Sequence, residues 1–173
     1  ERDRVPLGAS LPKFTYGGNI TLEYKGFDLS LVFNGVGKHT RRYDGFQVRP
    51  FEENFGNAPG ILTGNYWSAA NAADQNAVAK YPRLSARSET NNYAVSDFWL
   101  FNGSYFRIKN ITLGYTVPAS VITKAKLSQV RFYAGLRDYF TIENNFLRGW
   151  DPEASNQGYP IMKSVLFGVS IKL

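Results

Sequence analysis

The sequence contains no cysteine. That removes a disulfide framework and any thiolate-ligated metal site, while staying compatible with an oxidising compartment. His39 is the only histidine. It lies in a basic stretch with no visible partner for catalysis or metal binding, which leaves it a solvated loop residue. No apolar run approaches the ~18 residues of a membrane-spanning helix. Spanning by strands stays open, because barrel strands alternate faces and so keep mean hydropathy low. Glu1-Arg2-Asp3-Arg4 does not have the pattern of a secretory leader. Either the chain stays inside the cell or it is a piece of something longer.

What is present is 173 residues, enough for one domain, with 16% aromatics, 16 glycines and a net charge of +6. The charge invites an anionic partner, yet lysine and arginine are scattered, and only Lys38-His39-Thr40-Arg41-Arg42 forms a cluster. From Lys13 the pattern has period two. Phe14, Tyr16, Gly18, Ile20, Leu22 and Tyr24 share one face, opposite Lys13, Thr15, Gly17, Asn19, Thr21 and Glu23. This predicts a strand over 13–24. A tight turn at Lys25-Gly26 leads to a second strand over 27–36, with Phe27, Leu29, Leu31 and Phe33 on its apolar face. Ser96 to Pro118 opens with Phe98, Trp99 and Phe101, turns at Asn102-Gly103, and predicts a strand over 104–117 that Pro118 ends. Its parity slips: Phe106 and Ile108 disagree with Ile111, Leu113, Tyr115 and Val117. A bulge near Lys109-Asn110 restores one apolar face. Further strands are predicted over 129–141 and 163–173, with Phe132 and Val169 on the apolar side. Ala69–Ala79 and Pro118–Ser128 have room for a helical turn each.

A strand of about eleven residues rises roughly 36 Å, and at a tilt near 40° it covers about 28 Å, close to a bilayer core. The connections alternate in length: short at 24–26, long at 37–103, short at 118–128, fairly long at 142–162. Outer-membrane barrels alternate periplasmic turns and extracellular loops in this way. A soluble sandwich has no reason to, and a long structureless loop argues against an ordinary compact domain. Aromatics near strand ends fit two interfacial girdles, Phe14, Tyr16, Phe33, Trp99 and Phe140 at one level and Tyr24, Phe27 and Tyr115 at the other. About five strands cannot close a barrel, and an open wall leaves unpaired edges that lipid does not tolerate. The expectation is therefore an all-β, antiparallel transmembrane barrel segment with long extracellular loops and a periplasmic C-terminus, completed by strands outside this chain.

Particular motifs carry a family likeness. They are Trp67 through Tyr81-Pro82-Arg83-Leu84, Ser96-Asp97-Phe98-Trp99, and Gly103-Ser104-Tyr105-Phe106-Arg107-Ile108-Lys109-Asn110-Ile111-Thr112-Leu113-Gly114-Tyr115 with Pro118. Gly149-Trp150-Asp151-Pro152-Glu153, Tyr159-Pro160 and the closing Phe167-Gly168-Val169-Ser170-Ile171-Lys172-Leu173 follow. In these, over nearly its whole length, the chain resembles the C-terminal barrel segment of the SusC/RagA family of TonB-dependent outer-membrane transporters, found in Bacteroidetes. Arg137-Asp138-Tyr139-Phe140 departs from the family's usual Asn-Leu-Phe, and Leu173 from its usual terminal aromatic. The resemblance implies a barrel of about 22 strands around a plug, energised through TonB and capped by a SusD-like lipoprotein, importing oligosaccharides or peptides. The plug and the TonB-contacting part are absent from these residues.

Candidate contact residues follow from placement. Tyr66, Trp67 and Trp150 lie in outward loops, where aromatics stack on substrate or on a partner lid, or hold the loops rigid. Lys38, Arg41 and Arg42 offer a grip on lipopolysaccharide phosphates or an acidic substrate, or form a solvated charge cluster. Leu22, Leu29, Leu31, Phe132 and Val169 are expected to face outer-membrane lipid. Arg131, Arg137, Lys172 and Glu23 are expected to face the lumen. Neither Glu52-Glu53 nor Asp151/Glu153 makes a convincing glycosidase pair, since neighbours on an extended loop diverge and Asp-Pro commonly starts turns. Asn110-Ile111-Thr112 matches a glycosylation sequon but falls mid-strand. No cofactor is called for. A soluble secreted β-sandwich binding carbohydrate through Tyr66, Trp67, Trp99 and Trp150 is the alternative. A nucleic-acid-binding module lacks the basic, aromatic-interleaved strand face it would need.

Overall fold

The computed structural model describes residues 5–43, 50–51, 58, 60–85, 91–143, 151–154, 159 and 161–173. Seven strands occur among them: β1 Phe14–Tyr24, β2 Phe27–Gly37, β3 Thr40–Arg42, β4 Leu100–Asn102, β5 Tyr105–Thr116, β6 Gln129–Glu143 and β7 Ser164–Lys172. Five form one antiparallel sheet in the order β1-β2-β5-β6-β7, and β3 pairs with β4 in a separate ribbon. Two short helices, α1 Ala73–Ala77 and α2 Ala119–Ile122, sit in the connections. No helix among the described residues is long and apolar enough to cross a membrane, which says nothing of strands.

The register puts the apolar halves of all five strands on one side. Leu22 pairs with Leu29, Leu29 with Leu113, Leu113 with Ala134, and Ala134 with Phe167. Phe27, Tyr115, Phe132 and Val169 form the parallel row nearer the tight turn. Continuity across β5 depends on the predicted bulge. Between Val32 and Phe33 the β2 partner jumps from Asn110 to Ile108, passing over Lys109. Strand β6 accommodates the same irregularity by stepping from Arg137 to Phe140, with Asp138 in a left-handed conformation (φ 52°).

This apolar face is not sealed. Leu22 is 59% exposed, Phe132 50%, Val169 52% and Phe167 80%. Leu29 and Leu31, on the interior strand β2, are half-buried by their in-sheet neighbours. Among the described residues no second sheet packs over them. The one cover lies where α2 meets β6, with Ile122 and Val130 buried. A soluble sandwich core would hide these side chains.

Large rings sit over glycines where the strands approach the long connections. A side chain at Gly35 would meet the Tyr16 ring at 2.4 Å, and one at Gly37 the Phe14 ring at 2.2 Å. The hydroxyl of Tyr16 then donates to the carbonyl of Tyr105, 3.2 Å away across β2. Phe33 and Phe106 continue the row at 5.7 Å between ring centres. Trp99 does not join it. Instead of lying in a girdle, it is 1% exposed, and its indole N–H donates to the Asn92 carbonyl at 2.8 Å. Tyr43, Leu62, Tyr81, Tyr93 and Trp99 form the buried core of the long connection, with Tyr66, Leu84 and Phe101 packed against it. Local aromatic packing overrides the interfacial preference because it removes the whole indole from solvent while satisfying its one donor.

Candidate functional site: a charged seam on the polar face

The polar face carries two sets of charges, each placed by strand parity. Near the tight-turn end, Arg131 on β6 reaches across β5 to Asp28 on β2, its Nε donating to Oδ1 at 2.9 Å. The bridge passes over Gly114, where a Cβ would lie 2.4 Å from both the Arg131 Nη2 and the Asp28 Oδ1. A Cβ here would push these two side-chain ends away from their present meeting point.

At the other end, Arg107 and Lys109 share a parity opposite to Phe106 and Ile108, so both project from the polar face. Arg107 is 2% exposed. Its Nε donates to the Thr141 hydroxyl at 2.9 Å, one terminal nitrogen to Glu153 at 2.8 Å and the other to Asp151 at 2.7 Å. Lys109 donates to Asp138 at 3.0 Å and to Glu153. The second Glu153 oxygen accepts from Asn34 at 2.8 Å and from the Tyr105 hydroxyl at 2.9 Å. Arg41, on β3, donates to the main-chain carbonyls of Pro152 and Ala154. A short segment of the second long connection, Asp151–Ala154, is thus held against the sheet by donors from β2, β3 and β5.

Local chemistry prepares this segment. Asp151 accepts the Glu153 amide at 2.8 Å, closing an Asx turn around Pro152 and aiming both carboxylates at the sheet. Burial works against ionisation of Glu153, but hydrogen bonds from Lys109, Asn34 and Tyr105 and the nearby Arg107 charge outweigh it. Its carboxyl is held below the ordinary range. In the loop core, burial and the neighbouring Tyr43 push the Tyr81 phenol up to about 12.

The seam is suited to holding one stretch of chain against another. Its carboxylates are engaged by cations, so none is placed to act as a free base. No cluster among the described residues could hold a metal ion. His39 lies with Nε2 3.0 Å from the Ser10 carbonyl.

The structure gathers some candidate residues and separates others. Tyr66 packs on the loop core, whereas Trp67 is 44% exposed. Arg41 and Arg42 lie side by side in β3, and Arg41 serves the Asp151–Ala154 segment. Trp150, Glu52 and Glu53 fall outside the described residues. Leu22, Leu29, Leu31, Phe132 and Val169 share the apolar face; Arg131, Arg137, Lys172 and Glu23 share the polar one. Sequence reasoning passed over Arg107 and Lys109. Their parity against Phe106 and Ile108 was the available signal; the return of Asp151 and Glu153 to them was not.

No protein-family model matches the chain. Among curated proteins it is 30% identical over 154 residues to TonB-dependent receptor P3 of Formosa agariphila, covering 88% of this chain and 14% of that protein. It is 29% identical over 163 residues to TonB-dependent receptor SusC of Bacteroides thetaiotaomicron, covering 87% of this chain and 14% of that protein. The chain therefore spans about a seventh of the length of these relatives. Among solved structures it resembles the RagAB peptide importer in its open-open state, with a TM-score of 0.63 and 25% identity over 96% of this chain and 18% of that one. The closed-closed state gives a TM-score of 0.64 at 21% identity, over the same shares.

Proposed function

We propose that this chain, similar to the TonB-dependent receptors P3 and SusC and to the RagAB importer, is a segment of antiparallel barrel that forms wall and outer loops of an active nutrient importer in the bacterial outer membrane. The observation that carries the proposal is the unsealed apolar face, continuous from Leu22 on β1 to Val169 on β7. In water such a surface is a liability; against hydrocarbon it is the required finish. Among the described residues no strand pairs with the outer edge of β1 or of β7, and lipid tolerates such edges only when further strands cover them. The rest of the same transporter supplies those strands and the plug.

In this proposal Leu22, Leu29, Leu31, Phe132 and Val169 face lipid, while the Arg107–Glu153 seam lies inside the barrel mouth. The connections over 38–104 and 144–163 face the cell exterior, and the tight turn and α2 face the periplasm. The seam then pins an outer loop to the inner wall, giving the mouth a defined shape. Trp67 and Trp150 stand in those loops as contacts for substrate or for a SusD-like surface lipoprotein. The cargo class is oligosaccharide or peptide, and TonB acts through a part of the protein outside this chain. The role is transport, with no catalytic step assigned.

The test is fractionation of the full-length protein containing this chain. It should sediment with outer membranes, require detergent for release, and co-purify with a surface lipoprotein. Recovery in the soluble fraction would overturn the membrane assignment and favour a secreted carbohydrate-binding module.

A further inference from the structure

Building on the membrane assignment, we infer that the short-connection rim of this wall is a binding surface for anionic glycerophospholipid headgroups, with Lys25, Lys124 and Lys126 as its cationic contacts. Lys25 occupies the β1–β2 turn, and Lys124 and Lys126 the β5–β6 link; all three are exposed. These connections are neighbours at one rim, since the Thr116 amide donates to the Gly26 carbonyl at 2.7 Å where β5 ends beside the turn.

Three observations support a lipid partner. First, the adjoining apolar face ends in an aromatic band. Tyr24 is 70% and Phe27 53% exposed, and Phe27 lies 4.6 Å from Tyr115 between ring centres. Aromatic rings favour headgroup depth, so residues just beyond them sit among the phosphates. The Lys25 ammonium lies 5.2 Å from the centre of the Tyr24 ring, keeping it beside that band. Second, the outward side of the rim has no compensating acid among the described residues. Glu23 belongs to the polar face, and Asp28 is committed to Arg131. Third, Lys25 (φ 47°) and Lys126 (φ 56°) occupy left-handed backbone positions where glycine or asparagine is the unstrained choice. Lys38 shares that conformation at the opposite rim, so backbone strain supports the assignment only beside the other two observations. An acidic protein segment would satisfy the charge but has no use for the aromatic band.

The full-length protein is reconstituted into vesicles of equal phosphatidylglycerol and phosphatidylcholine, re-extracted gently, and its retained lipids are quantified. The expected result is enrichment of phosphatidylglycerol that falls about fivefold for each of Lys25→Gln, Lys124→Gln and Lys126→Gln, and weakens with salt. Lys172→Gln is the control: it removes one charge at the same rim from the polar face and should leave the ratio unchanged. Equal retention of the two lipids by inserted wild-type protein overturns the inference, as does an equal loss in the Lys172→Gln control. With lipopolysaccharide added to the vesicles, phosphatidylglycerol retention should persist. Its displacement would assign these lysines to lipopolysaccharide phosphates and overturn the inference too. Failure of the wild-type protein to enter vesicles would instead overturn the membrane assignment beneath it.

Discussion

Replacing Glu153 tests whether the seam holds the outer loop. In Glu153→Leu, four donors lose their acceptor: Asn34, Tyr105, Arg107 and Lys109. Breaking one partner of a buried ion pair costs about 3–5 kcal/mol. The cost here falls toward or below that range for two reasons. Arg107 keeps Asp151 at 2.7 Å and Asp138 at 3.9 Å. Lys109 keeps Asp138 at 3.0 Å, and its side chain, 31% exposed, can still reach water. A local loss of about 2–3 kcal/mol follows, which multiplies the open fraction of the segment roughly 30- to 150-fold. The assay is hydrogen exchange of the Asp151–Ala154 and Tyr105–Lys109 peptides in the full-length protein, with exchange of β1 and β7 as the reference. Faster exchange should be confined to the loop and its cradle. Glu153→Gln keeps a carbonyl acceptor without the charge and should fall between wild type and Glu153→Leu. The same carboxyl sets a pH dependence. Because it is held below its ordinary value of 4.5, its contribution is fully present above that pH and is lost as acid carries it through the depressed value. Protection should be flat from neutral pH to about 5 and fall below that, and in Glu153→Gln it should lose this fall. Unchanged loop exchange in Glu153→Leu, or loosening as pH rises from 5 to 8, would refute the latch.

Two further outcomes follow. Leu31→Arg, on the apolar face near the middle of β2, should cost about 2–4 kcal/mol in membrane-refolded protein, whereas Ser30→Arg on the polar face should be mild. Equal effects in a denaturant titration of the inserted protein would count against lipid contact. Trp99→Ala, which empties the centre of the loop core, should cost the long connection about 3–5 kcal/mol. Limited proteolysis should then cut between β3 and β4 while the five-stranded sheet stays intact; loss of the sheet as well would show that the two are one cooperative unit.

Alternation is the strongest signal in this chain, and the part of the fold that depends on it was legible. Phe14 to Tyr24 and Val165 to Ile171 announce their faces because one side of each strand must be apolar. The slip between Ile108 and Ile111 announces the bulge because a single face cannot otherwise continue. The loop core was not legible. Trp99 carries the same local pattern whether it edges a membrane or fills a core, and only the return of Tyr43, Tyr81 and Tyr93 decides. The seam was half legible: the parity of Arg107 and Lys109 was there to be read, though it was passed over, but no local rule brings Asp151 and Glu153 back from more than 40 residues away.

The bulge at Lys109 makes β5 a ribbon whose two halves obey opposite odd–even rules. Substitutions along it are judged one position at a time, but a regular ladder running straight through Lys109, with no residue passed over, would be judged over half the strand. One half would then present Arg107 and Lys109 to the oil and Phe106 and Ile108 to the water. The counting frame of this strand is therefore more tightly constrained than any one of its side chains.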